Sequence, residues 1–136
     1  MEFFSKHLQE KINSYVKLCK PSKLVVCDGS NEEYQKFLKK LVEDKVAFPL
    51  KREGCYYFRS DPKDVARVES CTFICTEKKE DAGPTNNWVH PKEMKEKLQG
   101  LFSHCMEGRT MYVIPYLMGS LENPMSKVGI ELTDSL

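Results

Sequence analysis

The residue best placed for chemistry is Arg67, in the run Asp61-Pro62-Lys63-Asp64-Val65-Ala66-Arg67-Val68-Glu69-Ser70. It follows a turn start and precedes the β-forming run Cys71-Thr72-Phe73-Ile74-Cys75-Thr76, and such junctions often line clefts. A guanidinium at that point offers a rigid donor fork that grips a carboxylate or phosphate through two parallel hydrogen bonds, which lysine cannot reproduce. The commoner reading is structural: Arg67 pairs with Glu69 or Asp64, as most surface charges do. Spacing leaves both readings open. Anion binding is the one chemistry that the residues by themselves support.

Other reactive side chains fall short of a site. His7, His90 and His104 belong to no complete ligand set, and each reads as a partly exposed surface residue. Of the six cysteines, Cys19, Cys27, Cys55, Cys71, Cys75 and Cys105, only Cys71 and Cys75 stand close enough to begin a zinc site, and a second close pair is missing. Those two would share a strand face, where a buried cysteine acting as a small hydrophobe is the commoner use. Asp28-Gly29-Ser30 lacks the Gly-x-x-x-x-Gly-Lys-Ser/Thr spacing that cradles phosphates and reads as a turn. Trp88, after Asn86 and Asn87, is either an anchor in a groove or a core aromatic, the latter being commoner.

The elements that must position these residues follow from periodicity. Phe4, Leu8, Ile12, Val16 and Cys19 recur at intervals of three and four, the stripe of an amphipathic helix that ends near Pro21. Lys23 to Cys27 predicts a short buried strand. A second helix starts around Asn31, which can cap it, with Glu32 and Glu33 at the positive end of its dipole and Tyr34, Phe37, Leu38, Leu41 and Val42 as its apolar face. Val46 to Leu50 and Cys55 to Phe58 flank the polar stretch Lys51 to Gly54, which predicts a hairpin. Asp61-Pro62-Lys63-Asp64 has the form of a helix start. Cys71 to Thr76 predicts a strand, and Glu77 to Asn87 an exposed, mobile loop. Pro91 to Leu98 reads as a surface helix with Met94, Leu98 and Leu101 facing inward. Met111 to Ile114 predicts a strand stopped by Pro115, and the alternation of Val128, Ile130 and Leu132 a half-buried one. Strands interleaved with helices favour a mixed α/β layer over a β-sandwich.

Bulk properties set the limits. The 136 residues fit one domain, and 21 Lys and Arg against 20 Asp and Glu give a net charge of +1, too little to recruit nucleic acid or an anionic membrane surface. Charges every few residues after Met1 leave no apolar leader core, and no stretch approaches membrane-spanning length. A cytoplasmic, reducing setting with free thiols is the expectation.

Three separated motifs then add a resemblance. At Asp61 to Ser70, at Gly108-Arg109-Thr110-Met111-Tyr112-Val113-Ile114-Pro115 and at Ser126-Lys127-Val128-Gly129-Ile130-Glu131-Leu132-Thr133-Asp134-Ser135, the chain resembles the GTP-dependent phosphoenolpyruvate carboxykinases, with a weaker likeness at Val26 to Ser30. The likeness covers most of the chain after about Leu24. It implies the N-terminal, substrate-side domain of that family, an α/β fold with a mixed sheet and flanking helices, over residues 1–136. It also implies the family's reaction, oxaloacetate and GTP to phosphoenolpyruvate, GDP and CO2, on the route to glucose. Arg67 then corresponds to an arginine that holds a carboxylate of oxaloacetate or phosphoenolpyruvate, and Glu69 to an acid beside the same cleft that orients Arg67 or meets a mobile lid. The family's manganese (Mn2+) ligands, its phosphate loop with a reactive cysteine and its nucleotide arginines have no counterparts in this sequence. Relatives continue beyond the Thr-Asp-Ser triplet with proline and an apolar stretch, whereas here Leu136 follows. The resemblance therefore implies a domain incomplete at its C-terminus, monomeric like its relatives and not competent for turnover alone. A non-catalytic module binding a dicarboxylate or a protein partner is the alternative.

Overall fold

The computed structural model describes residues 5–59, 61 and 68–134. Its centre is a three-stranded mixed sheet of β1 (Lys23–Val26), β6 (Thr110–Met118) and β7 (Lys127–Thr133), in the order β1-β6-β7. β1 runs parallel to β6, with Lys23 opposite Thr110 and Val26 opposite Val113. β7 returns antiparallel, pairing Tyr112 with Thr133 and Met118 with Lys127. Two small sheets stand apart from it: the antiparallel hairpin β2 (Ala47–Pro49) with β3 (Tyr56–Phe58), and the parallel pair β4 (Phe73–Ile74) with β5 (Asn87–Trp88). The mixed α/β class expected from the sequence is the one observed.

The helices begin and end for local reasons. α1 (Lys6–Cys19) starts where the Ser5 hydroxyl accepts from the Leu8 amide and stops at Lys20, whose left-handed backbone (φ 50°) lets its N–H bond back to the Val16 carbonyl. α2 (Asn31–Glu43) is capped by Ser30, not by Asn31. Ser30 has the extended backbone of a cap and stands three residues before Glu33, so serine and glutamate can satisfy free amides on either side of the helix start. α3 (Pro91–Phe102) follows a cap at His90, whose Nδ1 accepts from the Lys92 amide at 3.2 Å, with proline at the position that needs no donor. None of the helices among the described residues is long and apolar enough to cross a membrane.

The core lies at the first half of β6. Met111, Tyr112 and Val113 are consecutive and all buried, which a strand achieves only when both its faces are covered. On one face Met111 joins Cys19 and Met106, backed by Val16, Leu24 and Leu132. On the other, Tyr112 meets Phe37 of α2 edge to face, ring centroids 5.5 Å apart. Ile12 of α1, Cys27 just after β1 and Leu38 of α2 are also buried, as is Ala47 in the β2–β3 hairpin.

Besides the cap of α2, two expectations fail here. β6 is not stopped by Pro115 but continues to Met118. Val113 turns its carbonyl toward the β1 side, where the Cys27 amide binds it at 2.9 Å, and Pro115, two residues on, faces the same side just past the end of β1. Among the described residues no ladder partner stands opposite the missing N–H, so proline is tolerated. In α3, Leu98 and Leu101 do not face inward: both are exposed, Leu101 at 65%, because among the described residues α3 meets α1 only lightly and nothing else covers that side.

Candidate functional site

Arg67, and the capped turn expected after Asp61, lie outside the described residues. What the structure gives is the frame immediately after Arg67. Val68 and Glu69 are exposed, and Glu69–Cys71 forms a 3₁₀ turn in place of the first part of the expected strand. The turn is set by the Val68 carbonyl, which accepts from the Cys71 amide at 3.0 Å and from the Thr72 hydroxyl at 2.8 Å. Only Phe73–Ile74 is left to act as β4, and its partner β5 is equally short.

Side chains hold this turn to β5. Asn87 donates from Nδ2 to the Glu69 carbonyl at 2.8 Å and to the Thr72 carbonyl at 3.2 Å, clamping both ends of the turn. Trp88 is half-buried and is neither a free groove anchor nor a fully enclosed core ring: its Nε1 donates to the carbonyl and hydroxyl oxygens of Thr76, both at 3.0 Å. His90 stands edge-on to Trp88 and its Nε2 lies 3.1 Å from a Glu77 carboxylate oxygen. The stretch Glu77 to Asn87 is mostly exposed as expected, yet contains a 3₁₀ turn over Lys79–Ala82 with Ala82 buried and Asn86 donating back to its carbonyl. Glu69 is thus presented at the surface on a short turn held by backbone amides, the Thr72 hydroxyl and the Asn87 side-chain amide.

Cys71 and Cys75 are both exposed and do not form a buried strand face, because the 3₁₀ turn takes up Cys71 and β4 ends before Cys75. Among the described residues no three His, Cys, Asp or Glu side chains converge to hold a metal ion.

Asp28-Gly29-Ser30, at the carboxyl end of β1, is the turn that its sequence suggests. A carboxylate oxygen of Glu33 accepts from the amides of Asp28 and Gly29, both at 3.0 Å, and the Ser30 amide donates to Asp28 at 2.7 Å. Donors that would otherwise face an anion are taken by the chain's own acid. The Ser30 hydrogen bonds hold the Asp28 carboxyl below its ordinary pKa, while burial, then the charges of Glu33 and Asp28, push the neighbouring Cys27 thiol up.

A second cluster joins two of the sequence motifs. Arg109 donates to Asp134 at 2.8 Å, linking the start of β6 to the end of β7 across an open cleft of about 440 Å³ that Lys40, Asp44 and Tyr112 also line. Lys40 is itself paired with Asp44, which raises the lysine pKa, so each cation in the cleft already has a carboxylate. Sequence reasoning gave no role to Arg109, Asp134 or Asn87. A signal existed for the first two: opposite charges at the outer ends of two adjacent β runs.

Residues 10–136 match the family model described as the phosphoenolpyruvate carboxykinase N-terminal domain. The chain is 54% identical over 134 residues to the phosphoenolpyruvate carboxykinase (GTP) of Neocallimastix frontalis, an alignment covering 96% of this chain and 22% of that protein. To the enzyme of that name from Treponema pallidum (strain Nichols) it is 54% identical over 125 residues, covering 91% and 20%. To that from Anaeromyxobacter dehalogenans (strain 2CP-C) it is 51% identical over 133 residues, covering 96% and 22%. The chain thus spans about a fifth of the length of the curated relatives it matches.

Proposed function

The chain belongs to the phosphoenolpyruvate carboxykinase family as its N-terminal part, and from that premise we propose that it supplies the substrate-side domain of a GTP-dependent carboxykinase. The reaction is decarboxylation of oxaloacetate coupled to phosphoryl transfer from GTP, giving phosphoenolpyruvate, GDP and CO2 in the cytoplasm on the route to glucose. The match over residues 10–136, at about half identity to three proteins bearing that name, is the observation that carries the reading.

Arg67 is the proposed carboxylate grip for oxaloacetate or phosphoenolpyruvate, its fork suited to two parallel hydrogen bonds. Glu69 acts beside it, orienting the guanidinium or meeting a mobile lid. The exposed turn that carries Glu69, tied down at both ends by Asn87, is consistent with that task. GTP and manganese belong to the proposed reaction; among the described residues no metal-ligand cluster is present and Glu33 occupies the Asp28 and Gly29 amides, and the roles proposed here are those of Arg67 and Glu69 alone. On this reading residues 1–136 act as one monomeric domain that binds substrate carboxylate and does not turn over alone.

The test is titration calorimetry with phosphoenolpyruvate and with oxalate on the wild-type chain, Arg67→Lys and Arg67→Ala. Loss of one bidentate contact predicts about a tenfold weaker Kd for Arg67→Lys, and more for Arg67→Ala, with thermal stability unchanged. Equal affinities in all three chains, or lost stability with unchanged oxalate binding, would show that Arg67 only braces the fold. Tight binding to the chain in the absence of any role in turnover, once joined to the remaining length of a relative, would favour the non-catalytic binding module.

A further inference from the structure

The cysteines that sequence spacing scattered are not all scattered in space. α1 ends at Cys19, and the turn after α3 returns to it: the His104 amide donates to the Leu18 carbonyl at 2.8 Å and the Met106 amide to the Cys19 carbonyl at 3.0 Å. Cys105 sits between those two anchors and lines the same pocket as the Cys19 thiol. The two sulfurs differ in access. Cys19 is 6% exposed and belongs to the core around Met111, whereas Cys105 is exposed, and both line an open, mainly apolar pocket of about 420 Å³ with Tyr15, Phe102 and Leu132.

We propose that Cys105 and Cys19 form a dithiol modification site, in which a hydroperoxide entering this pocket converts the pair to an intramolecular disulfide. Cys105, as the accessible sulfur, attacks the peroxide oxygen in its thiolate form. The O–O bond breaks, Cys105 becomes a sulfenic acid, and the leaving oxygen takes up the proton from the original thiol. The Cys19 sulfur then attacks the Cys105 sulfur, the S–O bond breaks, and hydroxide leaves with the Cys19 proton as water. Two thiols lose two electrons and the peroxide gains them, so the products are one disulfide, one water and one alcohol, or a second water from hydrogen peroxide.

The division of roles follows from surroundings. Burial, and then the hydrogen bond with Cys105, push the Cys19 thiol above its ordinary pKa, which suits it to resolving an oxidised neighbour and not to meeting the oxidant first. A thiol held against its partner by two backbone hydrogen bonds also loses little chain freedom when the bond closes. The remaining exposed cysteines, Cys71 and Cys75, flank β4 and do not line this pocket.

The probe is hydrogen peroxide at low molar excess on the whole chain, followed by alkylation of residual thiols and peptide mapping without reductant. The expected result is a Cys19–Cys105 linked peptide formed several-fold ahead of any other pairing, carrying a mass loss of about 2 Da and reversed by dithiothreitol. Cys105→Ser, a change at an exposed position, abolishes the link and also the tight stoichiometric uptake of phenylarsine oxide, which needs two neighbouring thiols. A map in which Cys71–Cys75 prevails, in which Cys105 proceeds to sulfinic acid with Cys19 still alkylated, or in which Cys105→Ser retains the arsenical, would overturn the assignment.

Discussion

Two regions of this molecule are built on opposite principles. Around the first half of β6, three consecutive residues are buried, and apolar side chains from α1, α2 and the turn at Met106 close over both faces of the sheet. Around Glu69, the chain makes two strands of two residues each and holds them by Asn87 and Trp88 donating to backbone carbonyls. The first region gains stability from area removed from water, the second from directed hydrogen bonds that each add about 0.5–1.5 kcal/mol. A segment held in the second way opens more readily than the core beside it, which is the usual condition of residues that meet a ligand. The fold and the proposed substrate grip therefore rest on different parts of the sequence and can be damaged separately.

The sharpest separation comes from Met111→Ala. The side chain is 1% exposed and fills the space between Cys19 and Met106, so its truncation leaves a cavity and costs about 2–5 kcal/mol of global stability. Urea denaturation followed by far-ultraviolet circular dichroism measures it, and a loss well under 1 kcal/mol would mean that the core lies elsewhere. Asn87→Ala comes next and should act locally. It removes two donors from the Glu69 turn, about 1–2 kcal/mol, which appears as roughly 5–30-fold faster hydrogen exchange at the Cys71 and Thr72 amides with the global midpoint unmoved. If the global midpoint falls with it, the two regions are one cooperative unit and the contrast drawn above is false.

The same contrast explains what could be read in advance. Periodicity exposed α1, α2, β1 and the β2–β3 hairpin because apolar burial writes its period into the sequence. It overran at Cys71 to Thr76, where β-forming residue types are present but a 3₁₀ turn wins, since the Val68 and Glu69 carbonyls capture the amides of Cys71 and Thr72. It stopped β6 too early, because the rule against proline in strands depends on which side of the ladder the nitrogen faces, a property of the neighbours and not of the residue. It placed Leu98 and Leu101 inward on pattern alone, although a stripe shows only that a helix has an apolar side, not that something covers it. For the site, Arg67 reads as an anion grip or as an ion-pair partner, Glu69 enters only through the family resemblance, and Arg67 lies outside the described residues. The Asn87 clamp was not legible, because a side chain that serves backbone eighteen residues away leaves no local signature.

Across the open cleft, Arg109 and Asp134 test whether charge adds to the core's stability. Both side chains are partly exposed, at 59% and 36%, so solvent screens the pair and the coupling from a double-mutant cycle of Arg109→Ala with Asp134→Asn should be about 0.2–1 kcal/mol. Raising salt from low to physiological strength should shrink it further, since the charges face solvent. A coupling above about 2 kcal/mol would show that the ion pair is a structural lock between β6 and β7.

The smallest effect is expected at Gly129, although its geometry looks forbidding. A Cβ built there would lie 2.3 Å from Cζ and 2.5 Å from the hydroxyl oxygen of Tyr116, its partner across the β6–β7 ladder. Those atoms are the far end of a side chain that is 46% exposed, so the ring can swing away without moving the backbone. Gly129→Ala also reduces the freedom of the unfolded chain, a gain of about 0.4–1 kcal/mol where the native backbone suits alanine, and Gly129 has no positive φ to prevent that. The two effects nearly cancel, leaving a net change within about 0.5 kcal/mol by thermal denaturation, while tyrosine fluorescence reports a ring more open to water. A loss above about 1.5 kcal/mol would mean that Tyr116 is held over the sheet as firmly as Met111 is held beneath it, extending the apolar region to the far end of β6.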